Sequence, residues 1–159
     1  ETANGRYPLR AGATMAEIIE NTEVSPLDDL HPHKDATGES VPFAVAAGAV
    51  ELARHVDAAA ILVTTHSGYS ARGVARFRAE RPVFAATDSP RVSHQLLLSW
   101  GVVPILIQGY GQPEQMTHSA LDHLHKQKRI KKGDRVVGVS GLARSEGGFD
   151  SGVRVVEVA

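Results

Sequence analysis

The chain has 159 residues, of which 42% are apolar and 22% charged, with a formal net charge of −1. That length and balance suit one globular domain with a real core, and they exclude nucleic-acid or anionic-membrane binding driven by bulk charge. There is no cysteine, which excludes disulfides, thiolate metal sites and a cysteine nucleophile.

Aromatics make up only 5%, so the core must be built from Ala, Val, Leu and Ile. No apolar run approaches the ~20 residues of a membrane-spanning helix, and no signal-peptide pattern opens the chain. A cytoplasmic location is therefore expected. The first residue is Glu1 rather than Met, so the chain is expected to be cut from something longer or processed.

Residues 1–7 read as a loop. Pro8 suits the first position of a helix. Leu9, Ala13 and Ala16 recur at helical spacing, as do Met15, Ile18 and Ile19, so a helix is predicted to run to about Val24, before Pro26. Residues 25–39 are polar and rich in turn formers, and read as a connector. Ser40 is placed to cap a second helix with Val41, Val45, Ala49 and Leu52 on one stripe.

After Asp57 the rhythm changes. Ala59 to Thr64 is a short continuous apolar run, as expected of a strand buried on both faces. A basic helix follows from Ser70 to Arg78. A strand is predicted over Val83–Thr87, and a helix from Ser89-Pro90 to about Trp100. A third strand covers Val102–Ile107, and the next helix runs from Pro113 to about Arg129. The last two strands are predicted over Arg135–Ser140 and Val153–Val158. Alternation at this spacing defines an α/β fold: a three-layer αβα arrangement around a mostly parallel five-stranded sheet. The final connection, residues 141–152, carries no helix, so the last strand is expected to be antiparallel to its neighbour.

Ligands in such sheets bind beyond the carboxyl ends of the strands. Two loops at that edge are rich in small residues. The first, from Thr64 to Ser70, brings hydroxyls, Gly68 and the start of a helix, with Arg72 close behind; the amides and positive end of a helix N-terminus suit a phosphate. An ordinary strand-to-helix turn with a hydroxyl cap accounts for the same residues. The second loop offers Gly141, Gly147 and Gly148 for close backbone approach, and Arg144 for bidentate pairing with an anion. Neither is a Walker loop, a dinucleotide fingerprint or a nucleophile elbow. The eight histidines lack the spacing of a closed metal site. The basic run Lys126 to Lys132 reads as cations complementing a helix C-terminus. No catalytic constellation is placed by spacing, so the expectation is a binding pocket with no catalytic residue and no metal or cofactor of its own.

Several segments resemble the carboxyl-terminal region of pyruvate kinases. Glu1-Thr2-Ala3-Asn4-Gly5-Arg6-Tyr7-Pro8 is similar to that family's G-E-T-A-K-G-x-Y-P segment, and Thr65-His66-Ser67-Gly68-Tyr69-Ser70-Ala71 to its T-x-S-G-x-S-A loop. Val74-Ala75-Arg76-Phe77-Arg78, Pro82 to Thr87, Lys131 to Asp134 and Gly148 to Val156 resemble further family segments, in order and at the right spacing.

The resemblance implies that residues 1–24 are the last helix of a catalytic barrel, 25–39 a connector and 40–159 the regulatory α/β domain. It implies a parent enzyme that transfers phosphoryl from phosphoenolpyruvate to ADP with magnesium and potassium. The catalytic groups would sit in the barrel, so this chain alone is expected to be inactive. Its implied partners are that barrel, a phosphorylated small-molecule effector held by Thr65, His66, Ser67, Gly68, Tyr69 and Ser70, and further copies in a homo-oligomer, a tetramer in the parent; no nucleic acid and no membrane are implied. His66 stands where some members carry Lys, Tyr69 where many carry a base, and Met116 near an Arg of the sugar-bisphosphate-responsive members. These departures imply a monophosphate, AMP or an inorganic anion as the effector rather than fructose bisphosphate, or no effector at all.

Overall fold

A computed structural model of the chain describes residues 2–25, 40–107, 113–143 and 149–159. The chain divides into two units, Glu1–Lys34 and Asp35–Ala159. In the first, α1 spans Pro8–Glu23, with Pro8 at its amino end as expected, and none of its residues is buried. Leu9, Met15, Ile18 and Ile19 are exposed along it.

The second unit is an α/β body. Its elements run α2 (Val41–His55), β1 (Ala60–Thr64), α3 (Tyr69–Ala75), β2 (Val83–Thr87), α4 (Pro90–Leu96), β3 (Val102–Leu106), α5 (Pro113–Lys126), β4 (Arg135–Ala143) and β5 (Phe149–Glu157). The strands form one five-stranded sheet in the order β3-β2-β1-β4-β5. All pairs are parallel except the last, β4 with β5. The expected architecture is therefore the observed one.

Every residue of β1 and β2 is buried, which is why both are apolar up to the threonine that ends each. One face of the sheet is covered by α2, α3 and α4. There Phe43, Ala46, Ala49, Val74 and Leu96 pack on Ile61, Val63, Val83, Val137 and Val139. The other face is covered by α5, whose Met116, Ala120, Leu121 and Leu124 pack on Leu62, Phe84, Ala86 and Val136. Each fully buried Leu, Val or Met of this set contributes about 1.5–3 kcal/mol relative to exposure. Small residues let α2 and α3 approach closely: a Cβ added at Gly73 would lie 3.6 Å from that of Ala46.

Element ends differ from the sequence reading where tertiary partners decide them. The closing hairpin is longer than predicted, because Gly141 to Ala143 continue β4 and pair with Ser151 to Phe149. An antiparallel neighbour supplies the ladder there and overrides the weak strand propensity of Gly141 and Gly152. Helices α3, α4 and α5 stop earlier than predicted. Arg78 and Lys128 take positive φ just beyond two of them, and Gly101 does so after the turns that follow α4.

The start of α4 follows the sequence signal. Ser89 Oγ accepts the Val92 amide at 3.3 Å, and Pro90 occupies the first turn. Ser89→Ala removes that acceptor and is expected to lower stability by about 1 kcal/mol. Urea denaturation of the two chains checks this; an unchanged midpoint would show that the cap contributes nothing.

Candidate functional site

The sheet has one place where its strand order reverses. From β1 the chain steps outward through β2 to β3, then crosses back to set β4 on the far side of β1. Adjacent strands leading away from each other leave a crevice at their carboxyl ends, and open α/β sheets bind ligands there. Thr64 is level with Ser140 across this pair. The loop leaving β1 thus rises at the reversal, beside the continuation of β4 through Gly141.

Within that loop the residues divide into two sets. Thr64, Thr65 and Gly68 turn inward. The Thr64 hydroxyl donates to the Val139 carbonyl at 3.4 Å. The Thr65 amide extends the sheet by donating to the Ala86 carbonyl at 2.9 Å. Its hydroxyl accepts the Gly68 amide, also at 2.9 Å, so Thr65 holds the turn rather than facing outward. His66, Ser67 and Tyr69 are exposed, and Ser70 is half-buried. Ser67 Oγ accepts the Tyr69 amide at 3.3 Å. The loop therefore presents two seryl hydroxyls and an imidazole above a buried, internally bonded base.

Two charged side chains brace it. Arg72, on the first turns of α3, donates from Nη2 to the Ser67 carbonyl at 3.1 Å. The expectation that Arg72 lies close behind the loop is met, and part of its bonding capacity is spent on the loop backbone. Asp88, at the end of β2, has Oδ1 2.8 Å from Nδ1 of His66. Sequence reasoning missed Asp88; Ser89-Pro90 was legible as a cap, but the pairing of two rim loops was not.

Gly68 permits this packing. It adopts φ +78, and a Cβ there would lie 2.7 Å from Nη1 of Arg72 and 3.1 Å from Cγ1 of Val92.

Of the second predicted loop, Gly141 lies within β4, paired with Ser151. Arg144, Gly147 and Gly148 fall outside the described residues. Met116 is only 2% exposed, packed into the core on the α5 side of the sheet. Beside it, Arg154 of β5 crosses Gly138 and donates to the Thr117 hydroxyl at 2.9 Å, a contact no sequence pattern announced. Among the described residues, no three His, Cys, Asp or Glu side chains converge to hold a metal ion, and no helix is long and apolar enough to cross a membrane.

A mostly parallel five-stranded sheet with helices on both faces defines an open α/β class of domain. Comparison with known proteins narrows this. The pyruvate kinase α/β domain family matches residues 43–156, and the chain belongs to that family. It is 33% identical over 156 residues to pyruvate kinase 2 of Synechocystis sp., covering 98% of this chain and 26% of that protein. It is 31% identical over 157 residues to the pyruvate kinase of Clostridium acetobutylicum, covering 98% of this chain and 33% of the relative. Among solved structures, a pyruvate kinase from Cryptosporidium parvum superposes with a TM-score of 0.84 at 26% identity, over 100% of this chain and 32% of that one. The chain thus spans about a quarter to a third of the length of the relatives it matches.

Proposed function

We propose that this chain is the effector-binding and assembly portion of a pyruvate kinase. In this reading, residues 1–24 are the last helix of a catalytic barrel, 25–39 a connector and 40–159 the regulatory domain. Phosphoryl transfer from phosphoenolpyruvate to ADP, with its magnesium and potassium, belongs to the barrel. The chain alone does not catalyse it. The whole enzyme works in the cytoplasm as a homo-oligomer.

The observation that carries the proposal is the placement of the loop leaving β1. Ser67, Ser70 and His66 stand at the reversal of the strand order, with the Arg72 guanidinium against the loop backbone. Hydroxyls, backbone amides and a cation are the groups that hold a phosphate. Thr65 and Gly68 support the loop from within. Gly141, within β4, leads toward the neighbouring connection, to which Arg144, Gly147 and Gly148 are assigned as a second contact. Tyr69 and Met116 stand where sugar-bisphosphate-responsive relatives carry basic side chains, which leaves a monophosphate, AMP or an inorganic anion better suited.

The double variant Ser67→Ala, Ser70→Ala tests this. Calorimetric titration with glucose 6-phosphate, AMP and inorganic phosphate is expected to show at least a tenfold loss of affinity, about 1.4 kcal/mol. The thermal midpoint without ligand should move little, since Ser67 is exposed and Ser70 only half-buried. Unchanged affinity for every phosphate that binds the parent chain would remove the assignment.

A further inference from the structure

Strands β1 to β4 are parallel, so all four begin at one rim of the sheet, opposite the loop leaving β1. Two of the turns that enter them there carry unlike chemistry. The turn before β4 follows α5, which ends at Lys126. Residues 126–135 hold Lys126, Lys128, Arg129, Lys131, Lys132 and Arg135 against a single acid, Asp134. All of these cations are exposed. The Asp134 carboxylate braces the turn itself by accepting the Lys131 amide at 2.8 Å. Lys126, Lys128, Arg129, Lys131 and Lys132 have no carboxylate partner among the described residues. A helix C-terminus favours cations within its last turn only, and Lys131 and Lys132 lie well beyond the end of α5. The turn before β3 is apolar. Helix α4 ends at Leu96, and the two leucines that follow protrude, Leu97 at 65% and Leu98 at 92% exposure. The two turns approach each other on the α5 side. The Arg129 guanidinium lies 5.5 Å from the centre of the Phe84 ring, and Phe84 is level with the exposed Val103 of β3. The rim thus sets protruding leucines beside uncompensated cations, although the chain's formal net charge is −1.

We propose that this rim is a peripheral contact for an anionic lipid surface. Leu97 and Leu98 enter the interface, and the turn before β4 is held against the headgroups. An apolar insertion and a polybasic segment are the two signals that a surface anchor combines, because one alone holds only marginally. Charge complementarity selects the occupant: the cations call for a negative surface, and the leucines call for one they can enter. A second copy of the chain is the wrong occupant, since a two-fold contact sets a patch against itself and would here oppose like charges. The contact lies at the other end of the strands from the loop leaving β1, so it stands or falls apart from the phosphate reading.

The test mixes the 159-residue chain with vesicles of phosphatidylcholine alone, or with about a third phosphatidylserine, and follows cosedimentation. Trp100, the single tryptophan, sits in the turn with the leucines and reports insertion by a blue shift of its emission. Binding is expected only to the phosphatidylserine vesicles, and to weaken at least tenfold as salt rises from about 0.1 M to about 0.5 M. Each cation near such a surface is worth about fivefold in partition, so Lys131→Ala with Lys132→Ala should lose about 25-fold. Leu97→Ser with Leu98→Ser should lose at least about tenfold and keep the salt dependence. Both pairs should hold the thermal midpoint within a few degrees of the parent's, since all four side chains are exposed. Equal binding to phosphatidylcholine alone, untouched by the lysine variants, overturns the proposal by placing the contact on an apolar surface elsewhere. A leucine variant that binds as the parent does overturns it too, and reduces the rim to a general polyanion contact for a nucleic acid or an acidic protein. Failure to bind phosphatidylserine vesicles at about 0.1 M salt refutes it outright.

Discussion

Phe84→Ala is expected to destabilise the α/β body by about 3–5 kcal/mol. Phe84 is 1% exposed and sits in the central part of the sheet, level with Leu62 of β1 and Val103 of β3. Its ring lies in the α5 side of the core, where several neighbours are small: Ala60, Ala86 and Ala120. Alanines on a sheet and a helix have no side-chain length with which to fill a void. The cavity left by the ring would therefore persist, and persisting volume is what makes such truncations costly. The guanidinium of Arg129, 5.5 Å from the ring centre, would also lose its partner. Domains of this size are stable by only about 5–15 kcal/mol. The thermal midpoint should accordingly drop by on the order of 10 °C. Calorimetric melting measures this directly, and a drop of less than a few degrees would mean that the site collapses in a way this packing does not allow.

Gly68→Ala is expected to damage both the fold and the binding loop. The residue's φ of +78 is open to glycine and costs an alanine roughly 1–2 kcal/mol. The new Cβ would also press on Arg72, Val92 and Leu96, with approaches of 2.7, 3.1 and 3.3 Å. Arg72 is long and can swing aside, at the expense of its bond to the Ser67 carbonyl. Val92 and Leu96 belong to the packed face of α4 and yield less readily, which adds about 1–3 kcal/mol of overpacking. A total of about 2–5 kcal/mol should appear in urea denaturation as a lower midpoint with an unchanged slope. Phosphate affinity should fall with it, since the turn and its Arg72 brace would both shift. A chain that kept its midpoint would show that the loop tolerates a different path.

These two residues differ in how plainly the sequence announces them. Strands β1 and β2 were legible because residues buried on both faces are mostly apolar, and β5 was recognisable as antiparallel because the sequence from 141 to 152 carries no helical pattern. The course of the hairpin was less legible. Gly141 and Gly152 read as loop residues in isolation, yet each has a strand partner across the pair. The reversal of strand order between β1 and β4 was not legible either, since it depends on which side of the sheet a distant strand joins. The candidate site followed the same division. Ser67, Gly68 and Ser70 stood out as a local pattern, and their positions follow from the end of β1. The inward turn of Thr65 and the contact between His66 and Asp88 did not stand out. The latter joins residues 22 apart, and it exists only because two parallel strands end side by side.

The central position of β1 also shapes how the polypeptide comes to be made. Its outer neighbour on one flank, β2, is the next strand to be synthesised, whereas its other flank waits for β4; Thr64 meets Val139 across 75 residues. A nascent chain emerging from the ribosome therefore carries Ala-Ile-Leu-Val-Thr with one bare hydrogen-bonding edge until nearly the whole domain has been translated. Unpaired apolar edges of this kind recruit other chains. Translation stalled ahead of Arg135 should thus yield a product that depends on chaperones, while the same chain extended past Ala143 would seal itself.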